Sequence, residues 1–130
     1  MSVNPNDNQG VRHLLPICWF EKNDLAAILD LCRAYPGDYA PEILYTQALA
    51  LVRLGRDKDA LAALKNCVAA LPLVGKELLK KRHPRPKSWT EGYITLGGPD
   101  QAYDYWREYG KYWSASASAM ELLRQVVKPR

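Results

Sequence analysis

Apolar side chains recur every three or four residues from residue 41 to residue 72, in the stretch PEILYTQALALVRLGRDKDALAALKNCVAALP. They form two blocks, carried by Leu44, Ala48 and Leu51 and then by Ala60, Leu64 and Cys67. This spacing is that of an amphipathic helix, and no strand-like alternation competes with it. The stretch therefore predicts two consecutive helices.

The residues between and after the two blocks mark where these helices end. Gly55 can close the first helix because glycine readily adopts the left-handed backbone of a helix C-terminus. Asp57 can begin the second helix by offering oxygen acceptors to its free N–H groups. Pro72 cannot continue a helix and predicts that the second one stops there. Residues 41–72 are thus predicted to form a helical hairpin.

Two weaker copies of the pattern flank this hairpin. The earlier copy runs from about residue 8 to 36 and turns near Asn23, a residue type that tolerates left-handed backbone. The later copy runs from about 88 to 113 and turns at Gly97. Residues 73–87 then remain as a connector between the second and third hairpins.

The tail predicts one further helix, over about residues 114–127. Ser114 or Ser116 can cap its N-terminus with a side-chain oxygen. Its apolar face consists of Met120, Leu123 and Val127. Because the terminal hairpin of a repeat array needs a cover, we expect this helix to cap the third one.

The hairpin at 41–72 resembles a tetratricopeptide repeat (TPR). That motif places small residues where two antiparallel helices approach closely, a bulky residue towards the next repeat, and a proline at the end. The positions that match are Ala48, Gly55, Ala60, Leu64, Cys67 and Pro72. The large aromatic residues usual in the first helix of the motif are replaced here by Leu44 and Leu51.

The order of motifs along the chain narrows this resemblance. NPNDNQGVRHLLP, GDYAPEILYTQALALVRLG and GGPDQAYDYWREYGKYW together resemble a divergent family of TPR-like proteins that includes the suppressor-of-tumorigenicity group. In longer members a repeat region precedes the first of these motifs. The chain is therefore similar to the C-terminal half of such a protein, as a fragment or as a naturally shortened relative.

This resemblance implies an all-α fold, which we expect to be a short, irregular, TPR-like solenoid of helical hairpins with a C-terminal capping helix. It also implies a non-catalytic role in protein–protein interaction or scaffolding. The family offers no catalytic motif that could be transferred to this sequence.

Composition adds limits to this picture. A chain of 130 residues suits one domain, and no apolar run reaches the roughly 18 residues of a spanning helix. The three cysteines, Cys18, Cys32 and Cys67, lie far apart and form no CxxC motif. We expect them to be reduced and mostly buried, in a cytoplasmic protein without a membrane partner.

The sequence also lacks the usual signatures of an enzyme. We find no GxxxxGK[ST], HExxH or GxSxG pattern. His13 is expected to be structural and His83 to be solvated among cations. We therefore predict no catalytic residue, no metal and no cofactor, although a small enzyme with a site in the groove of the solenoid remains a third possibility.

Positive charge is concentrated in one segment. Residues 76–87, KELLKKRHPRPK, hold six cations and one anion, a charge of +5 against +4 for the whole chain. The segment is a solvated connector, a surface for an acidic protein, or a site for nucleic acid. We predict an acidic protein partner with nucleic acid as the alternative, and the residues predicted to bind are Lys80, Lys81, Arg82, Arg85 and Lys87.

The resemblance also predicts a second binding face. First helices of successive repeats line the concave side of such a solenoid. Here the residues placed towards a peptide or helix are Arg12, Tyr45, Leu49 and Arg53, with Lys87 and Glu91 from the third copy. The alternative is that Tyr45 and Leu49 only pack against neighbouring helices.

The first helix carries more apolar residues than one buried stripe needs. If a repeat normally precedes it, some of them are exposed, and a large apolar patch favours association. We therefore predict a homodimer through Leu15, Trp19 and Phe20. The alternative is a monomer in which Pro16 redirects the helix and buries these side chains.

Overall fold

The computed structural model describes residues 14–38, 40–87, 89 and 97–127, and within them the regular secondary structure is entirely helical. Helix α1 includes residues 14–21. It is followed by α2 (Leu25–Ala34), α3 (Pro41–Arg53), α4 (Asp57–Ala70), α5 (Pro72–Leu79), α6 (Pro99–Ser114) and α7 (Ala117–Val127). The prediction of an all-α fold is confirmed.

The turns after α1 and after α3 lie where the sequence predicts them. Asn23, between α1 and α2, has a φ of 57°. Gly55, between α3 and α4, has a φ of 77°, a left-handed conformation that glycine adopts without a Cβ clash. The Asp24 side chain accepts a hydrogen bond from the Ala27 N–H at 3.2 Å and so caps α2. At the other end of the chain, Ser116 caps α7 by accepting from the Ala119 N–H at 3.2 Å.

The helices pack in order along the chain. Helix α3 packs against α2 and α4, and fully buried alanines, Ala48 and Ala60, are present on the two helices of the α3–α4 hairpin. Helices α5 and α6 pack against each other, and α7 contacts α4, α5 and α6. Leu123 of α7 is fully buried, with Met120 and Val127 packed partly against the core.

The prediction that residues 73–87 form a connector is wrong in its first half, because Pro72–Leu79 is a helix. Pro72 does follow the end of α4, but it also begins α5, since proline is well suited to the first turn of a helix. Burial of Val74 and Leu78 stabilises this helix. The cations around these two residues make the segment look like a solvated connector in the sequence. The non-helical connector begins at Lys80.

The third predicted hairpin, about 88–113, is described only in part. Its second helix is α6, which begins at Pro99 as the turn at Gly97 predicts. Most of its first half lies outside the described residues. Among the described helices, α6 packs mainly against α5.

An aromatic core lies where α3, α5, α6 and α7 meet, and its polar atoms are paired within the protein. The Tyr45 hydroxyl donates to the Leu71 carbonyl at 2.5 Å and accepts from the Gly75 N–H at 3.0 Å. The Tyr105 hydroxyl lies 3.2 Å from Thr46 Oγ1 and accepts from Trp113 Nε1 at 3.0 Å. These bonds allow hydroxyl-bearing rings to be buried without an unsatisfied donor.

Candidate functional site

Five exposed cations lie on a short non-helical segment after α5, residues 80–87, which we term the basic loop. They are Lys80, Lys81, Arg82, Arg85 and Lys87. Pro84 and Pro86 fix φ at two positions of the loop and so restrict its backbone. The loop therefore presents its charges to solvent from a limited set of conformations.

His83 attaches the basic loop to the helical body, and the expectation that it is a solvated residue is wrong. Its imidazole stacks on the indole of Trp106, with ring centres 3.7 Å apart and planes 6° from parallel. Its Nδ1 lies 2.5 Å from Oε2 of Glu77. The His83 side chain is only 12% exposed, and that of Glu77 only 4%.

Glu77 serves two partners from its buried position on α5. Its Oε1 accepts from Lys80 Nζ at 3.2 Å, while its Oε2 faces His83. A buried carboxylate requires such pairing, because burying an unpaired charge is costly. Glu77 thus holds both the start and the middle of the basic loop. By contrast, Lys81 and Arg82 form no ion pair within the described residues.

Trp89, just beyond the basic loop, carries two guanidinium groups. Arg85 Cζ lies 4.8 Å from its ring centre, and Arg107 Cζ of α6 lies 5.0 Å from it. The indole N–H donates to Asp104 Oδ1 at 3.3 Å, and Arg107 donates to the same oxygen at 3.0 Å. Tyr103 meets Trp89 edge-on, with ring centres 6.2 Å apart. This arrangement brings a cation of α6 beside the basic loop.

The position of Trp106 depends on a glycine one turn later. A Cβ atom added to Gly110 would lie 2.5 Å from Trp106 Cδ1, well inside any normal contact. The indole therefore lies directly over the Gly110 backbone. His83 then stacks on Trp106, so the helix surface supports the basic loop through two aromatic rings.

Acidic side chains of α6 lie beside this support. Burial raises the pKa of Glu108, and the neighbouring Asp104 carboxylate raises it further, whereas the Arg107 charge lowers it. Asp104 itself is paired with Arg107 and Trp89. The five cations of the basic loop and Arg107 are exposed, whereas the nearby acids Asp104 and Glu108 are half-buried.

Tyr45 and Leu49 do not line a binding face, and that prediction is wrong. Both are fully buried, because α5 covers Tyr45 and the core encloses Leu49. The alternative, that they only pack against neighbouring helices, is what the structure shows. Arg53 is half-buried: its guanidinium lies 5.2 Å from the Phe20 ring centre and donates to the Tyr112 carbonyl at 2.5 Å.

Arg12 and Glu91, which were also predicted on that face, lie outside the described residues, as does His13. Lys87 is exposed, but on the basic loop. The structure thus supports one of the two predicted binding regions as an accessible surface.

The residues predicted for self-association differ in their burial. Phe20 is 5% exposed and stacks on Tyr112 with ring centres 5.0 Å apart, so it is not available to a second copy as predicted. Leu15 and Trp19 are half-buried. Leu14, which precedes them, is 52% exposed. The homodimer itself stays a prediction.

The cysteines show no arrangement for joint chemistry. Cys18 is exposed, whereas Cys32 and Cys67 are buried and burial raises the pKa of each to about 12. Over the described ranges, no three His, Cys, Asp or Glu side chains group as a metal site. No helix in the same ranges is long and apolar enough to cross a membrane.

Sequence reasoning missed four residues of the site: Glu77, Trp89, Trp106 and Arg107. Glu77 is the only acid in the basic segment, and Trp89 follows Lys87 by two positions, so both carried a weak signal. The approach of Trp106 and Arg107 depends on how α6 packs, which no local pattern encodes. No protein-family model, curated protein or solved structure matches this chain.

Proposed function

We propose that this chain is a non-catalytic, TPR-like protein-interaction module that binds an acidic segment of a partner protein through the basic loop. The observation that carries the proposal is the attachment of the loop: exposed cations flank His83, which is stacked on Trp106 and paired with Glu77. A solvated connector does not need a buried carboxylate and an aromatic platform.

Attachment of the loop favours binding because it reduces the cost of ordering. Each long side chain that becomes fixed on binding costs about 0.5–1.5 kcal/mol, and a mobile backbone adds to that cost. Here two prolines and the His83 contacts restrict the backbone before a partner arrives. Less conformational entropy is therefore lost on binding, and more of the favourable electrostatic free energy remains.

The aromatic rings favour a protein partner over nucleic acid. Single-stranded nucleic acid binds to such surfaces by combining phosphate contacts to cations with stacking of its bases on aromatic faces. Trp106 already stacks with His83, and Trp89 already lies beside two guanidinium groups. Since these faces are engaged, the cations remain as the groups that contact a partner, and carboxylates suit them.

The order of the helices is compatible with the TPR-like part of the proposal. Helices α3 and α4 form a hairpin with small residues buried on both partners, as that motif requires. The irregular part is α5, which is short and packs beside α6. On this proposal, the basic loop departs from the array at that irregularity.

The test replaces Lys80, Lys81, Arg82 and Arg85 together with serine. The matched control replaces four exposed cations elsewhere, Arg33, Lys58, Lys65 and Arg124, and so removes the same charge. We would measure binding of a fluorescein-labelled hexaglutamate peptide by anisotropy. Because an exposed ion pair contributes roughly 0.2–1 kcal/mol, we expect about a tenfold loss for the loop variant and a much smaller loss for the control.

Two results would contradict the proposal. Equal losses in the two variants would mean that net charge alone attracts the peptide. Stronger binding of a single-stranded oligonucleotide than of the peptide, with a steep decrease on added salt, would favour the nucleic-acid alternative instead.

A further inference from the structure

We infer that Arg85 and Arg107 together form a two-point grip for a pair of neighbouring carboxylates on the acidic partner, with Trp89 as the residue that positions them. This inference rests on the proposed function, and it extends the binding surface from the basic loop to α6. It assigns a role to Arg107 and Trp89, which local sequence patterns do not single out.

The contacts of Trp89 place the two guanidinium groups together. Each Cζ atom lies about 5 Å from the same indole ring centre, so the two are less than about 10 Å apart. The attraction of a cation to an indole contributes roughly 0.5–1 kcal/mol at an exposed site. Like charges repel at this separation, and the shared ring offsets that repulsion.

Asp104 is hydrogen-bonded to both Trp89 and Arg107. Its Oδ1 accepts from both the Trp89 indole at 3.3 Å and Arg107 at 3.0 Å. The orientation of the indole and of one guanidinium is thus fixed by a common acceptor. Arg107 keeps 43% of its side chain exposed, and a guanidinium has five N–H donors, so most of them remain for a partner.

The spacing indicates the chemistry of the ligand. Arginine binds a carboxylate through two parallel N–H donors, which favours a planar anion at each guanidinium. Acidic side chains three or four positions apart on a helix have Cβ atoms about 5–6 Å apart, and those two apart on a strand are separated by about 7 Å. Two such carboxylates on one face of a partner segment can reach both arginines together.

The primary test compares two arginines that share the same local setting. Arg107 pairs with an acid three residues earlier at 3.0 Å, and Arg124 of α7 does the same at 3.5 Å, each on an exposed helix face. We expect Arg107→Gln to weaken binding of the hexaglutamate peptide about three- to tenfold. Arg124→Gln should leave that binding unchanged within about twofold, because within the described residues no aromatic ring joins Arg124 to a second guanidinium.

Two comparisons test the positioning role of Trp89. One asks whether another aromatic ring can replace it, and the other asks whether its effect on binding requires Arg107. Trp89→Leu should weaken peptide binding severalfold, whereas Trp89→Phe, which keeps an aromatic face, should restore part of it. In an Arg107→Gln background, Trp89→Leu should have a smaller effect than in the unaltered chain. A merely structural indole would give the same loss in both backgrounds.

The outcomes separate the inference from the proposed function. If Arg107→Gln binds the peptide as the unaltered chain does while the four-serine loop variant has lost binding, the grip is wrong and the basic loop remains the binding site. If the four-serine variant binds normally, both are wrong. Binding of a single-stranded oligonucleotide that falls with Arg107→Gln, without any fall for the peptide, would also overturn the carboxylate grip. Far-UV circular dichroism of each variant shows that folding is intact, and the Arg107 comparison decides the matter even if Trp89→Leu unfolds.

Discussion

The aromatic core around Tyr105 and the aromatic surface around Trp89 are built from the same kinds of residue. Their rings nevertheless contact different groups. In the core, ring hydroxyl and indole groups bond to one another and to Thr46, and Tyr105 and Trp113 are fully buried. At the surface, the faces of Trp89 and Trp106 carry arginines and an imidazole. The buried aromatic residues therefore stabilise the core, whereas the less buried ones position charged side chains.

The comparison teaches how α6 serves both purposes. Tyr105 and Tyr109 lie on its buried side and stack with centres 4.8 Å apart. Trp106 and Arg107 lie on its accessible side, next to the basic loop. One helix thus connects the interior to the proposed binding surface, and substitutions on its two sides should have different consequences.

The largest expected difference concerns two tryptophans. Trp113→Ala should destabilise the protein by about 3–5 kcal/mol, because it opens a cavity in the core and removes the donor to Tyr105. Trp89→Ala should cost about 1 kcal/mol or less, since that side chain is only half-buried. Urea denaturation followed by circular dichroism measures both. Equal losses would mean that the surface cluster is as important to folding as the core.

A second prediction uses the buried thiols of Cys32 and Cys67. Burial raises the pKa of each from 9.0 to about 12, so the folded state holds the thiol proton more tightly than the unfolded state does. The resulting stability is complete below about pH 9 and is lost as the pH rises from 9 towards 12. Each thiol contributes a loss of at most about 1.4 kcal/mol per pH unit.

The measurement is the free energy of unfolding in urea at several values from about pH 8 to about pH 10. Cys67→Ala should lower the stability at all of these values but should flatten the decline above pH 9. Cys18→Ala, which removes an exposed thiol, is the matched control for the loss of a thiol as such. An unchanged slope in Cys67→Ala would exclude that thiol as a source of the alkaline decline.

A third prediction concerns the junction between the two regions, where the expected change in stability is again small. His83→Ala should destabilise the protein by about 1 kcal/mol, because it removes one aromatic stack and one partner of Glu77. It should nevertheless weaken hexaglutamate binding, since the basic loop is released from α6. His83→Phe keeps the stack and should retain more binding than His83→Ala. If His83→Ala binds as well as the unaltered chain, attachment of the loop is unimportant for binding.

The α3–α4 hairpin could be predicted from the sequence because its determinants are local. Helical spacing, the turn at Gly55 and the small residues Ala48 and Ala60 all lie within one stretch. The same holds for the turn at Asn23 and for the cap at Ser116. Helix α5 was missed because its charges resemble those of a connector, while Val74 and Leu78 are too few to establish a period.

The candidate site was predicted only in its exposed cations. Charge is visible in the sequence, but the contacts that fix the basic loop join residues far apart in the chain, such as His83 and Trp106. The error at Tyr45 has a similar origin. A repeat register places this residue on an open face, whereas the Gly75 N–H of α5 bonds to its hydroxyl and covers it.

At Gly110, the absence of a side chain determines where Trp106, and with it the basic loop, can lie. Glycine inside a helix lowers its stability by roughly 0.5–1 kcal/mol relative to alanine, so Gly110→Ala looks favourable from the helix alone. Here the added methyl group would displace Trp106 by steric contact. The imidazole resting on that indole would have to move as well. Alanine at this position would favour the helix but would displace the support of the basic loop. Glycine keeps that support in place at the expense of helix stability.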